Sequence, residues 1–317
     1  MAIARGVEGV ILLGEESTYG TPVAPTKYIG LIQSTSGSVD QTVGEHYGLG
    51  QSKSADVSGG LTTVRRSIDF LPTNGRFLEY FAFGGTTTHV DSSTDCTHTM
   101  VWANDLPFYT LEESYEQGGS DLENTYTSYI AESLNITLNV DGELTASVSG
   151  NAQDLVTSTS ATAYAAQSSA PFKGIWGSVN IGGSISNVQS WGLTINRNSS
   201  QVSGMGSRKA VQGNSHTASV EFTARIAYSA STFDTGITGN ASGITATEAS
   251  DVSVTLGADN GVSLGSGERS ISIALTGCQY SSVARDSSLD DFVFTDITGK
   301  GQLSTTTFVD QVLQASW

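Results

Sequence analysis

The stretch Ser133-Leu134-Asn135-Ile136-Thr137-Leu138-Asn139-Val140-Asp141-Gly142-Glu143-Leu144-Thr145-Ala146-Ser147-Val148-Ser149 decides the fold class. Leu134, Ile136, Leu138 and Val140 fall on alternate positions. Leu144, Ala146 and Val148 do so again after Asp141-Gly142. A period of two places successive side chains on opposite faces of a strand. Asp-Gly supplies the positive φ that a tight hairpin turn needs. The segment therefore reads as a half-buried β-hairpin.

The same alternation recurs on both sides. Toward the N-terminus, Thr62, Val64, Arg66, Ile68 and Phe70 form an inward set, with Arg66 the exception in character, and Phe108–Tyr115 alternates in part. Toward the C-terminus follow Trp176, Val179 and Ile181; Trp191, Leu193 and Ile195; and Ala218, Val220, Phe222, Ala224 and Ile226. Val252, Val254 and Leu256, then Ile271, Ile273 and Leu275, then Phe292–Ile297 complete the series. Tyr28–Ile32 reads as a strand, and Val7, Val10, Leu12 and Leu13 as a short extended stretch. One helix is expected, capped by Thr73-Asn74, striped by Phe77, Leu78 and Phe81, and closed by Gly84-Gly85. Residues 37–60 and 204–213 are rich in glycine and read as a long flexible hairpin or loop and a second loop, 156–170 as a linker, and 235–250 as turns.

The chain has 317 residues, enough for one large or two ordinary domains. Charged residues are 14%, below the roughly 25% of an average domain. The net charge of −17 leaves too few cations to displace counterions from nucleic acid. High-salt adaptation would give the same acidity. Two cysteines, Cys96 and Cys278, are too few for a disulfide framework. Neither a secretory leader nor an apolar run long enough for a membrane span is recognisable, so cytosolic synthesis and folding are expected.

The halves echo each other. Gly48-Leu49-Gly50-Gln51-Ser52-Lys53-Ser54 is similar to Gly204-Met205-Gly206-Ser207-Arg208-Lys209-Ala210, and each precedes a Val-x-Gly and an alternating strand. Ser133–Leu138 matches Ser270–Leu275 further on. The spacing of matched features falls from 156 to 137 residues, so the first half carries additional chain, largely around its helix. A tandem duplication is expected, with domains at 1–165 and 166–317. Chance likeness between Gly- and Ser-rich β chains is the competing explanation.

Motifs for chemistry are weak. His89, Cys96 and His98 offer three ligands without a second pair, and no metal site is read from them. Glu15-Glu16, Glu112-Glu113 and Asp290-Asp291 are acidic pairs of a kind any acidic β protein carries, and Asp259-Asn260-Gly261 reads as a turn. Gly48-x-Gly50 and Gly204-x-Gly206 lack the Gly-Lys-Ser/Thr of a phosphate loop. No catalytic residue and no cofactor is expected.

Two stretches carry a resemblance. Glu15-Glu16-Ser17-Thr18-Tyr19-Gly20-Thr21-Pro22-Val23-Ala24-Pro25-Thr26 resembles the opening of phage tail tube proteins, and Leu193–Asn198 through Gly206–Lys209 to Val220–Phe222 resembles their central hairpin. The resemblance implies a mainly β fold of two tandem β-sandwich or curled-sheet domains, with one short helix in the first. It implies stacked rings whose inner strands join into a barrel around a DNA channel. A trimer would mimic six-fold symmetry; a hexamer is the alternative. Partners implied are further copies of the chain and the tape measure, tail terminator and baseplate proteins. DNA passes the lumen without sequence-specific binding, no membrane is involved, and the place is the virion tail, assembled in the host cytoplasm. Loops 42–60 and 199–215 would hold the contacts, through Gly44, Gly48, Gly50 and Lys53 and through Gly204, Gly206, Arg208 and Lys209, ordering only on assembly. The N-terminal arm would contribute Glu15, Glu16, Tyr19 and Pro22. Arg65, Arg66, Arg208 and Lys209 would pair with a neighbour's acids or line the channel. Alternatives are another self-assembling β protein, such as a capsid-decoration, surface or adhesin component, and a carbohydrate-binding β-sandwich. The scatter of Trp102, Trp176, Trp191 and Trp317 disfavours the last.

Overall fold

The computed structural model describes residues 10–50, 52–54, 56–84, 87–91, 96–117, 120–158, 170–182, 187–214, 217–227, 237, 244, 250–264, 267–286 and 293–310. Strands dominate. The first half contains β1 (Val10–Glu16), β2 (Lys27–Tyr28), β3 (Gly30–His46), β4 (Asp56–Pro72), a helical segment, β5 (Thr87–Asp91), β6 (Cys96–Val101), β7 (Phe108–Gln117), β8 (Ser120–Asn139), β9 (Thr145–Ala152) and β10 (Asp154–Ser158). The second contains β11 (Lys173–Ile181), β12 (Val188–Asn196), β13 (Ser200–Ser203), β14 (Ala210–Asn214), β15 (Ser219–Ala227), β16 (Val252–Leu264), β17 (Gly267–Asp286) and β18 (Phe294–Asp310).

The antiparallel order β3-β4-β9-β8-β7-β1 in the first half has the same form as β12-β15-β18-β17-β16-β11 in the second. In each, the second, third, sixth, fifth, fourth and first principal strands lie side by side. The halves are hydrogen-bonded to each other where β8 meets β12, with Leu134 opposite Ile195, Ile136 opposite Leu193 and Leu138 opposite Trp191. They meet again where β6 joins β18.

The inward sets follow the alternation. Val64, Ile68 and Phe70, Leu134, Ile136 and Leu138, Val220, Phe222, Ala224 and Ile226, and Ile271, Ile273 and Leu275 are buried in one continuous core. Val140 departs from its set: it is 38% exposed, because β8 ends at Asn139 and the Asp141-Gly142 turn begins with Gly142 N–H donating to Asn139 O.

The expected helix is a single α turn, α1 (Arg76–Leu78), running into a π turn over Glu79–Phe83. Asn74 Oδ1 accepts the Arg76 N–H, and Gly84 closes the segment at φ 59; Gly85 lies outside the described residues. It has no solvent stripe, since Arg76 through Leu78 and Tyr80 through Phe83 are all buried. Phe70 and Tyr129 meet Phe81 edge-on.

Of the two readings open for residues 37–60 the hairpin is the one formed, and parts of the segments read as a second loop and a linker are strands. Residues 37–60 belong largely to the β3–β4 hairpin, 204–213 partly to β14, and Val156–Ser158 to β10. Asp259-Asn260-Gly261 is a bulge inside β16, where Asp259 Oδ1 accepts the Gly261 N–H and the register slips before Ser263. Most of 235–250, all of 159–169, Val7, Asp290-Asp291, Phe292 and Trp317 lie outside the described residues. Among the described residues no helix is long and apolar enough to cross a membrane.

Candidate assembly surface

Strands β3 and β4 are each 17 residues long and pair from Gly30–Pro72 at the base to His46–Asp56 at the far end. Only the base of β4, Val64 to Phe70, is also paired with β9. The distal half is an arm open to solvent on both faces, which is why its sequence shows no apolar alternation. Among the described residues β3 pairs with β4 alone, leaving a long sheet edge of the sort another chain can extend. Val39, Val43, Tyr47, Val57 and Leu61 are exposed along the arm.

The second half contains the same hairpin, folded differently. Strands β12 and β13 together span the length of β3, and β14 and β15 that of β4, but the chain bends between them. Asn198 sits at φ 48 in the bend and donates from its side chain to Thr217 O. Arg197, fully buried, fixes it by donating to Ala103 O and Asn104 O while lying 4.0 Å over the Trp102 ring. The β13–β14 hairpin therefore folds back on the first half. Arg208 O accepts the Thr62 N–H at 2.9 Å and Arg208 Nε donates to Gly60 O. Lys209 pairs with Asp154, and Gln153 Nε2 donates to Ala210 O. The structure thus brings Arg208 to the foot of the first arm and Lys209 onto the body of its own chain.

The two turns are alike in detail. Gly50 lies at φ 83 and Gly206 at φ 82, a region open to glycine. The residue before each, Leu49 at 109% and Met205 at 107%, is wholly exposed. Each turn thus holds one large apolar side chain out in solvent. Gly44 and Lys53 lie in the exposed part of the arm and Gly48 and Gly204 beside the tips.

The N-terminal stretch is internally anchored. Glu16 is buried and accepts hydrogen bonds from Ser128 N–H, the Ser128 hydroxyl and the Thr110 hydroxyl. Ser128, at φ 50, bends β8 where its partners change from β7 and β10 to β9 and β12. The Ser128 hydroxyl also accepts the Gly20 N–H, and the Tyr19 ring meets Phe108 edge-on at 4.9 Å. Glu15 and Pro22 flank this anchor, Glu15 at the β1 position opposite Tyr109 and Pro22 exposed. Burial and the nearby Glu79 raise the Glu15 carboxyl above its usual range.

Arg66 turns inward with its alternate set. It pairs with buried Glu113, which also accepts from the Tyr115 hydroxyl, while its guanidinium lies 5.4 Å over Tyr126. Its charge is thus matched inside the subunit, whereas Arg65 takes the exposed side of β4.

The outward face of β9, β8 and β12 is polar without charge. Thr145, Ser147 and Ser149 stand opposite Thr137, Asn135 and Ser133, and these opposite Gly192, Thr194 and Asn196. The hydroxyls bond across strands, Ser133 to Ser149 at 2.7 Å and Thr137 to Thr145 at 2.6 Å. Among the described residues the acidic pairs Glu15-Glu16 and Glu112-Glu113 are consecutive on β1 and β7, and neighbours along a strand point to opposite faces, so neither pair makes a dyad by itself. Trp102 and Trp191 pack with the core rather than presenting a sugar platform.

The sequence did not reveal Arg197 and Ser128 as anchors, because their partners lie in distant elements; the one local sign was a lone arginine ending an apolar strand. No curated protein matches the chain significantly. A family model described as phage tail tube protein matches residues 6–301, nearly its whole length. With an extended edge-bearing arm, a matched second hairpin and a fold made almost wholly of strands, this chain belongs to the phage tail tube protein family.

Proposed function

We propose that the chain is a non-enzymatic subunit whose copies form rings that stack into the tube of a viral tail and conduct DNA. The observation that carries this reading is the arm: a strand edge over Gly30–His46 with an exposed leucine at its tip. Edge strands tend to be completed by another chain, and closed rotational symmetry satisfies every edge in turn.

The identical strand order of the halves supports a duplication, with domains at 1–165 and 166–317. On that reading each chain supplies two sectors and a trimer closes a pseudo-six-fold ring. Gly44, Gly48, Gly50 and Lys53 on one arm and Gly204, Gly206, Arg208 and Lys209 on the other lie in the contact regions. The segment with Glu15, Glu16, Tyr19 and Pro22 positions the N-terminal arm. The uncharged hydroxyl and amide face of β9, β8 and β12 suits the channel wall, since phosphate is gripped by cations and finds none there. Further partners are the tape measure, terminator and baseplate proteins, in a virion assembled in host cytoplasm.

Negative-stain microscopy of the purified chain tests this. Tubes or rings with a central hole, three chains to a ring by mass, are expected. A monodisperse monomer at all concentrations overturns the proposal.

A further inference from the structure

We propose that His89, Cys96 and His98 form a zinc-type metal site that ties β5 to β6 where β6 lies against β18. Spacing along the chain does not call for a metal, but the register supplies what spacing lacks. β5 and β6 pair with His89 directly opposite His98, and Cys96, two positions before His98, shares its face of the strand. Three donors of suitable chemistry are thereby gathered at one point.

His98 Nδ1 lies 2.5 Å from His89 Nδ1 and 3.8 Å from Cys96 Sγ. All three donor atoms lie within 4.8 Å of one another. With zinc–nitrogen bonds of about 2.0–2.1 Å and zinc–sulfur of about 2.3 Å, a tetrahedral ion sets its donors roughly 3.3–3.6 Å apart. The observed separations straddle that range, and small side-chain rotations suffice to reach it. Cys96 and His98 are fully buried while His89 is half-buried. Two neutral imidazoles and a thiolate would fill three positions, with water reaching the fourth from the His89 side. This donor set suits zinc over magnesium or calcium, which take oxygen.

The surroundings orient the central ligand. β6 pairs with β18 with His98 opposite Phe308, and the two rings stack at 5.8 Å between centroids with 23° between planes. A bound ion would tie both strands of the hairpin together beside that stack. On binding, the Cys96 thiol gives its proton to solvent and its sulfur electron pair to the metal.

The test uses the full chain, reduced, stripped with a chelator, and dialysed against zinc or cobalt(II). About one metal per chain is expected, with a sulfur-to-cobalt charge-transfer band and the visible bands of tetrahedral cobalt. Zinc should raise the Tm of the stripped protein. His89→Ala, at the half-exposed rim, should fold and bind at least about tenfold more weakly, without the zinc-dependent rise in Tm. Cys96→Ser should lose the sulfur band. Substoichiometric metal in the unaltered chain overturns the proposal. So does cobalt bound without a sulfur band, which would mean histidines acting alone, or binding unchanged in His89→Ala.

Discussion

Replacing Leu49 and Met205 with alanine separates a contact surface from a merely decorative tip. Both side chains are wholly exposed, at 109% and 107%, so truncation removes no contact within the subunit. Folding stability should move by no more than about 0.5 kcal/mol. If each tip is buried against a neighbouring copy, Leu→Ala withdraws three carbons, at about 0.8 kcal/mol each. The loss is about 2 kcal/mol per tip, roughly 30-fold in an association constant. The double variant should lose close to 4 kcal/mol, roughly a thousandfold. The critical concentration for tube formation, measured by sedimentation across a dilution series, reads this directly. Urea denaturation of the unassembled subunit provides the control. An unchanged critical concentration in the double variant refutes the argument, as does a subunit stability that falls in step with assembly.

Arg66→Met leaves the buried Glu113 carboxylate without its cation, beside the Tyr115 and Tyr126 hydroxyls; it should cost about 3–5 kcal/mol, and adding Glu113→Leu should recover most of that in urea titrations. Recovery absent in the double variant would sink the ion-pair account. Glu16→Ala abandons the Ser128 N–H and two hydroxyls and should destabilise by about 3 kcal/mol; a urea midpoint like that of the unaltered chain would show the anchor to be dispensable. Burial above all pushes the Tyr19, Tyr126 and Tyr280 phenols up to about 12 and the Cys278 thiol up to about 11. These groups stay protonated in the fold when the unfolded chain, with thiol near 8.5 and phenols near 10, has begun to ionise. Their contribution is therefore whole below about pH 8.5 and lost as pH climbs to about 12; a urea midpoint constant through that window contradicts it.

Much of the fold was legible because burial imposes a period on the sequence. In β4 the even positions point inward, Arg66 included, and the β8–β9 hairpin forms where the alternation places it, although its connection spans Val140 to Leu144 and neither Asp141 nor Gly142 takes a positive φ. The arm was harder to read as regular strand because it has no inward side: with both faces in solvent, Ser, Thr, Asp and Gly suffice and no alternation is written. The bend that distinguishes the second hairpin depends on Arg197 reaching Ala103 and Asn104. The Glu16–Ser128 anchor joins residues 112 positions apart. The His89–Cys96–His98 cluster depends on a hairpin register that spacing alone leaves open.

The two conformations of one hairpin lead to a contact between chains. Within the subunit, the folded hairpin of the second half docks on the foot of the first arm, Arg208 beside Gly60 and Thr62. The first arm, its counterpart, continues as one pair of 17-residue strands from base to tip. In a ring built from duplicated units, the contact made inside the chain should recur across the junction between chains, with the first arm's turn at the foot of the neighbour's second hairpin. Such head-to-tail contacts close rings. The alignment that superposes Gly48 on Gly204 puts Ser52 in the place of Arg208 and Ala218 in the place of Thr62. Ser52→Cys combined with Ala218→Cys should therefore form disulfides between chains under mild oxidant once tubes assemble, and closed three-chain species should appear on non-reducing gels. Each single variant should give none, since Cys96 and Cys278 are buried. Assembled tubes of the double variant that remain uncrosslinked would show that the junction between chains does not repeat the one within them.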